Sequence, residues 1–245
     1  MASIGASAGE PSLGYSVASH ESCWPTHGQG ERYTCQNMVM HTALALPSVE
    51  TRPGLAELLA SRRSIKKYDA NQALNLEDIA RLLWAAAGTT TPQRRSCPSA
   101  KATNPISITL VAGKVNDLEP GCYRYDALGH RLAAGPFGDH RLAVAGGTLD
   151  AREWLAECQA LLLLTADMSA ARLRFPDQPS EHGERFVWME AGHSAQNVYL
   201  SAAEQNLGTC LVAGLDDDAM ANNCNPLIPS QHQVLGVLGV GRPTA

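Results

Sequence analysis

From Gly54 onward, the sequence alternates amphipathic helical patterns with short apolar runs, and this alternation constrains the fold more than any other feature. Helices placed before, between and after the strands indicate an α+β fold, in which a central mixed β-sheet is flanked by helices. The predicted elements are a helix ending near Ser61, helix 75–87, strands 106–112 and 121–125, helices near 140–146 and 151–157, strand 160–166, a long helix 184–205, strand 209–213, helix 217–222 and strand 233–240.

Length and composition indicate one domain that follows an N-terminal extension. The chain has 245 residues with a hydrophobic content of 44%, which is enough to bury one sizeable core. Residues 1–45 are rich in Ser and Gly and show neither periodicity nor a secretory signal, so we expect them to be largely disordered. The folded domain is then 46–245. A transit peptide, or a natural start at Met38 or Met40, is an alternative interpretation of the extension.

Charge and hydropathy argue against two classes of partner. A net charge of -5 and a pI near 5.9 disfavour nucleic-acid binding, which requires an excess of Lys and Arg. No apolar run approaches the ~20 residues of a membrane-spanning helix, since the longest is the short segment 160–164. The sequence therefore predicts a soluble protein without nucleic-acid or membrane partners.

The cysteines are scattered along the chain, and their number, seven, is odd. They form no C-x-x-C pair and no Cys/His spacing of zinc type, so we expect no metal site. Reduced thiols in a cytoplasmic protein explain this usage better than a disulfide framework. Cys97 is the one candidate for a reactive thiol, because the charges of Arg94 and Arg95 nearby would lower its pKa.

A basic cluster lies between Ser61 and Asp69, directly after the amphipathic run 55–59. Adjacent guanidinium groups at the end of a short helix offer forked donors to a phosphate, and Ser64 adds a neutral hydroxyl. The alternative is a solvated helix end, where cations offset the negative end of the helix dipole. The cluster alone leaves both interpretations open.

The motifs that follow the cluster decide between these interpretations. They are, in order, Gly88 with a Thr/Arg-rich loop, Pro98-Ser99-Ala100, Asn104-Pro105, Ala191-Gly192-His193-Ser194-Ala195-Gln196-Asn197, Val212-Ala213-Gly214 and Val240-Gly241-Arg242-Pro243. Their order and spacing resemble the nitroreductase family of FMN-dependent oxidoreductases, most closely the SagB-type dehydrogenase subgroup, over residues 55–243. The resemblance implies a nitroreductase-like fold with a long central helix, and FMN as the cofactor.

The resemblance gives the basic cluster a role at each end of the flavin. Arg62, Arg63 and Ser64 would bind the phosphate and the ribityl oxygens. Lys66 would approach N1 and O2 of the ring, where a cation stabilises the reduced flavin and favours hydride acceptance. Lys66 is therefore a predicted catalytic residue as well as a cofactor-binding one.

The resemblance also assigns the turn that follows Cys97. In relatives, the residues that correspond to Pro98, Ser99 and Ala100 come from the other subunit and pack against the flavin. Asn104 lies where relatives place an amide that bonds to ring or ribityl oxygens.

The last two motifs complete the predicted site. Ala213 and Gly214 would lie over the ring with a backbone N–H directed at N5, and glycine would permit close approach and special backbone dihedrals there. Gly214 is the second predicted catalytic residue. Arg242 would supply a further cation to the phosphate. Because the sequence stops at Ala245, the downstream cation of many relatives is missing, and phosphate binding would depend more on the arginines.

The helix around 191–203 carries many small residues, which let another helix approach closely. In the family this helix lies in a dimer core, so the resemblance implies a homodimer. A central helix of a monomer fits the pattern equally well. We interpret His193 as a packed, hydrogen-bonded residue rather than as a ligand or base.

The resemblance implies ping-pong chemistry, in which NADH or NADPH reduces FMN and leaves. A small organic acceptor of nitroaromatic, quinone or enone type then takes the electrons in the same slot. This FMN-dependent oxidoreductase is the first hypothesis. The sequence does not decide between NADH and NADPH, because it contains no dinucleotide-binding G-x-G-x-x-G motif.

Two other hypotheses remain. The first is a peptide azoline dehydrogenase of natural-product maturation, an activity for which relatives carry a Lys-Tyr pair before the Ala-Gly-His helix. Here the nearest counterpart is Arg174-Phe175, and neither side chain can act as a base. The second is a non-catalytic flavin-binding redox sensor, suggested by Cys97 and by the short C-terminus.

Overall fold

The computed structural model describes residues 43–47 and 54–244. In this part of the chain the helices are α1 Leu55–Ser61, α2 Leu76–Ala87, α3 Arg141–Ala145, α4 Arg152–Glu157, α5 Met168–Leu173, α6 Ser180–Glu204 and α7 Asp217–Cys224. The strands are β1 Ala43–Ala45, β2 Thr89–Thr91, β3 Arg94–Arg95, β4 Ser107–Ala112, β5 Gly121–Asp126, β6 Arg131–Phe137, β7 Ala160–Ala166, β8 Gly208–Val212 and β9 Gln233–Gly241.

Seven strands form one sheet in the order β1-β6-β5-β4-β7-β9-β8. Every neighbouring pair in it is antiparallel. β7 lies inside the sheet and is buried along its whole length, as its continuous apolar sequence predicts. The α+β fold class, with a central sheet flanked by helices and the long helix α6, is confirmed.

Helices cover both faces of this sheet, and the side chains of β7 alternate between the two. Leu162 and Leu164 pack in a cluster with α2 and α6, whereas Leu161 and Leu163 pack in a second cluster with α3, α4 and α7. This alternation is the period of two expected for a strand. β8 lies at one end of the strand order, so one of its edges is available to segments outside the sheet.

Several short elements differ from the predicted ones. β1 lies inside the predicted extension and pairs with β6, so the sheet begins before residue 46; residues 1–42 lie outside the described part. The hairpin β2–β3 and the helix α5 were not predicted. β2 and β3 have three and two residues and α5 has six, which is too few for the period of a strand or of a helix to show. α6 begins at Ser180, and Pro179 is its N-cap residue. Proline is compatible with a helix start because it has no backbone N–H that would be left without a partner there.

Candidate functional site

The candidate site lies along the outer edge of β8, where backbone groups of the strand face away from the sheet. The Ile65 N–H donates to the Thr209 carbonyl oxygen at 3.0 Å, and the Leu211 N–H donates to the Tyr199 hydroxyl at 2.8 Å. These bonds show that odd-numbered residues of β8 direct their backbone groups outward, so Ala213 continues the row. Among the described residues, the Ala213 N–H has no hydrogen-bond acceptor. It is therefore available to a ligand.

Arg62 and Ser64 lie at the start of this edge, against Tyr199. The guanidinium carbon of Arg62 is 5.2 Å from the centroid of the Tyr199 ring, within cation–π range. The Ser64 hydroxyl oxygen is 3.2 Å from the Tyr199 hydroxyl oxygen. Arg63 turns away, because its Nη1 donates to the carbonyl oxygens of Ala60 and Arg62, both at 2.8 Å. The two arginines thus differ: one is held beside the edge, and the other caps α1.

The two predicted catalytic residues contact one segment, 149–154. The Lys66 ammonium nitrogen lies 5.6 Å from the centroid of the Trp154 ring. The Leu149 N–H donates to the Gly214 carbonyl oxygen at 3.1 Å. Both Lys66 and Gly214 are exposed, so a ligand can reach them.

Gly214 offers space rather than an unusual backbone conformation. It has no positive φ, so the predicted special dihedral is wrong. A Cβ added at Gly214 would meet only Leu149 Cδ1, at 3.9 Å. The glycine leaves the surface open for a flat molecule, which keeps the predicted close approach possible.

The turn after Cys97 lies in a different part of the chain. Pro98, Ser99 and Asn104 line a cavity of about 220 Å³ together with Glu190 and Ser194 of α6. The Ala100 N–H donates to Glu190 Oε1 at 2.8 Å. None of Arg62, Lys66 and Gly214 lines this cavity.

α6 separates the two groups of predicted residues. Glu190 contacts the turn, and Tyr199 contacts the β8 edge. Nine residues of a helix correspond to about 14 Å along its axis. A single chain therefore does not bring all the predicted residues to one place.

Arg242 is already paired with an acid. Its Nη2 lies 2.6 Å from Asp78 Oδ2, and the two side chains are 24% and 15% exposed. The same carboxylate oxygen accepts the Asn75 N–H at 2.9 Å in the capping box of α2. The predicted phosphate ligand thus also joins the end of β9 to the start of α2.

We expect Arg242→Ala to destabilise the fold by about 1–3 kcal/mol, because Asp78 would keep its negative charge in a largely buried position without its cationic partner. Urea unfolding measures this change. Arg131→Ala is the matched control, since it breaks an exposed ion pair with Asp126, 51% and 36% exposed, of the kind that contributes about 0–1 kcal/mol. Equal losses in the two variants would contradict the structural role of Arg242.

Cys97 does not have the environment of a reactive thiol. Burial raises its pKa, so the predicted lowering is wrong. Its thiol donates to the Ala86 carbonyl oxygen at 3.0 Å, and Asn197 Nδ2 donates to the sulfur at 3.1 Å. The Arg95 guanidinium binds Thr89 Oγ1 instead, at 2.6 Å.

Tyr199 and Glu190 are the functional candidates that the sequence analysis missed. Tyr199 contacts Ser64 across 135 residues of sequence, and no local pattern signals such a contact. His193, expected to be packed, is exposed on α6. The acid before the Ala-Gly-His motif was the one available signal for Glu190.

The described residues contain no helix long and apolar enough to cross a membrane. Within the same ranges, no three side chains of His, Cys, Asp or Glu meet in an arrangement that could hold a metal ion. The cysteines that the structure describes are free thiols.

Comparisons with known proteins agree on one family. The profile of the nitroreductase family matches residues 59–242. A nitroreductase-family protein of Methanocaldococcus jannaschii is 31% identical over 203 residues, which cover 81% of this chain and 96% of that protein.

Two solved structures share the fold. One is a chain of the E. coli microcin synthetase McbBCD in complex with truncated pro-MccB17, with a TM-score of 0.65 and 22% identity over 82% of this chain and 76% of that one. The other is a Desulfovibrio desulfuricans nitroreductase-family protein in complex with FMN, with a TM-score of 0.55 and 16% identity over 80% of this chain and 89% of that one.

Proposed function

The chain belongs to the nitroreductase family, and from this premise we propose that it is an FMN-dependent oxidoreductase that uses NADH or NADPH to reduce a small organic acceptor. The edge of β8 is the observation that carries the proposal. It offers the Arg62 guanidinium at one end, the free Ala213 N–H near the other, and open space above Gly214.

The residues present fit the parts of FMN. Arg62 and Ser64 are placed to bind a phosphate with charged and neutral donors. Ala213 offers an unpaired N–H, and Gly214 leaves room for a flat ring. When bound, FMN supplies the hydride and electron transfer between the nicotinamide and the acceptor.

The protein's own contribution is position and charge. Lys66 places a positive charge near the ring end of the site, where it stabilises negative charge on a bound ligand. The Ala213 N–H adds a fixed donor beside it. Neither residue needs to form a covalent bond, because the proposed chemistry belongs to the cofactor.

We propose a homodimer, in which the turn of one copy completes the site of the other. The separation of the two groups of residues along α6 supports this arrangement. α6 also exposes Trp188 and Met189, which are 48% and 54% exposed, and α1 exposes Leu55 and Leu59. Exposed apolar side chains of this size are typical of an interface. The free thiols are consistent with a cytoplasmic location, which is part of the proposal.

Neither other hypothesis gains support from a specific contact. Phe175, at the position of the azoline dehydrogenase base, is buried and packs edge-on against Phe186 with ring centroids 5.0 Å apart. It has no proton to exchange. A redox sensor based on Cys97 would need a thiolate, and the raised pKa of this thiol disfavours one.

The visible spectrum of the purified protein, before and after anaerobic addition of NADH or NADPH, tests the proposal. We expect bound or reconstituted FMN that bleaches with at least one nucleotide. Protein that takes up no FMN would refute the proposal. Protein that binds FMN and is bleached by neither nucleotide would favour a non-catalytic flavin protein.

A further inference from the structure

We propose that Glu190 is a positioning residue: its buried carboxylate holds the turn 98–104 in the conformation that presents Ser99 and Ala100 to the flavin of a second copy. This inference rests on the proposed function. Its structural half, that Glu190 holds the turn, can be measured without flavin.

Glu190 ties the backbone of the turn to α6. Its Oε1 accepts the Ala100 N–H at 2.8 Å, and the residue is 5% exposed. The bonds of Asn104 stay within the turn, since its N–H donates to Ser99 Oγ at 2.7 Å and its Nδ2 to the Ala102 carbonyl oxygen at 2.9 Å. These local bonds shape the turn, whereas the Glu190 bond fixes where it lies.

The turn requires such support because its backbone is strained. Lys101, Ala102 and Asn104 have φ values of 50°, 53° and 48°. Residues with a Cβ avoid this left-handed region. Strained backbone persists where the surrounding structure holds it and is concentrated at functional sites. Three such residues within four positions mark this turn as a functional segment.

The buried carboxylate of Glu190 lowers the stability of the folded protein. Burial is the main cause that raises the Glu190 pKa, and the bonds from Ala100 and Ser99 offset it in part. Ser194, also on α6, is 1% exposed and leaves its hydroxyl unpaired in the same cavity. A buried acid beside an unpaired hydroxyl does not serve packing, because apolar side chains would stabilise the same volume better.

Other charged and titratable groups near Glu190 are His193 on α6 and, in the cavity, Arg95, Cys97, Tyr125 and Asp126. Most have partners of their own. Arg95 binds Thr89, Asp126 pairs with Arg131, and the Tyr125 hydroxyl is 2.8 Å from His130 Nδ1. The hydrogen-bond donors of the Glu190 carboxylate thus belong to the turn itself.

The test combines amide hydrogen exchange of the flavin-free protein with FMN titration. We expect Glu190→Ala to speed exchange in the turn and raise the Kd for FMN, each by about tenfold, as for one lost charge-assisted bond. Glu181→Ala, an exposed acid on the same helix, should change neither. Unchanged exchange, or faster exchange with an unchanged Kd, would overturn the positioning role.

Glu190→Gln keeps the proposal testable if the alanine variant does not fold. Glutamine retains the acceptor oxygen and the volume but makes a weaker bond. Exchange of the Ala100 amide should therefore be faster than in the wild type at neutral pH, and the difference should disappear at a pH where Glu190 is protonated. No difference at neutral pH would overturn the proposal. Wild-type protein without FMN binding would refute the proposed function, and exchange would then decide whether Glu190 holds the turn.

Thermal unfolding of Glu190→Gln gives a pH signature with a definite sign. A carboxyl with a raised pKa binds more protons in the folded state, so its contribution to stability is lost as pH rises from the unfolded pKa through the folded one. We expect the variant to have a higher Tm than the wild type at neutral pH and an equal Tm at low pH. A lower Tm at neutral pH would contradict the assigned cost.

Discussion

Replacing Lys66 with alanine is expected to slow the reduction of bound FMN by NADH or NADPH about 10²-fold, as the loss of one fixed electrostatic donor typically does. The reduction potential of the flavin should fall at the same time, because the removed cation stabilises the reduced form. Among the described residues, Lys66 forms no ion pair. Its charge, held 5.6 Å from the centroid of the Trp154 ring, is therefore available to a ligand.

Anaerobic stopped-flow kinetics and a potentiometric titration measure these two effects. Lys67→Ala is the matched control, because Lys67 is also exposed and has no predicted role. In the Lys66→Arg variant the flavin should keep much of its wild-type reduction potential, because arginine keeps the positive charge. If the Lys66→Ala enzyme has the wild-type rate of flavin reduction and the wild-type potential, Lys66 is not part of the flavin site.

The sequence predicts the central elements of the fold more reliably than the peripheral ones. The predicted limits of β7, 160–166, match the observed strand. They match because a short, continuous apolar run is the pattern of a strand that is buried on both faces. β1 could not be predicted, since Ala43–Ala45 carries no pattern and is a strand only by its pairing with β6. Such an element depends on tertiary contacts rather than on its own residues.

The candidate site shows the same division. The prediction of Arg62, Lys66 and Gly214 as site residues came from the family resemblance that the order of motifs carries. The contacts around these residues could not be predicted from the sequence. Tyr199 contacts Ser64 and Leu211 because α6 packs beside β8, and no local pattern indicates this packing. A motif also does not show whether another side chain of the fold pairs with one of its charged residues. Arg242 is such a case, because it forms an ion pair with Asp78.

Arg62→Ala is expected to weaken FMN binding about tenfold to hundredfold, the range for losing charge-assisted hydrogen bonds to a phosphate. The structure distinguishes this residue from its neighbour. Arg62 lies over the Tyr199 ring beside the β8 edge, whereas Arg63 has Nη1 committed to the carbonyl oxygens of Ala60 and Arg62. Arg63→Ala should therefore have a smaller effect on the Kd.

Fluorescence titration of the flavin-free variants with FMN gives both dissociation constants under one condition. Repeating it with riboflavin, which lacks the phosphate, locates the effect: the Arg62→Ala loss should vanish, because the guanidinium then has no anion to bind. If Arg62→Ala binds FMN as tightly as the wild type, the phosphate does not lie at the start of β8. An equal loss with riboflavin would instead mean that Arg62 acts on the ring or on the fold, and the proposed orientation of the flavin along the edge would be wrong.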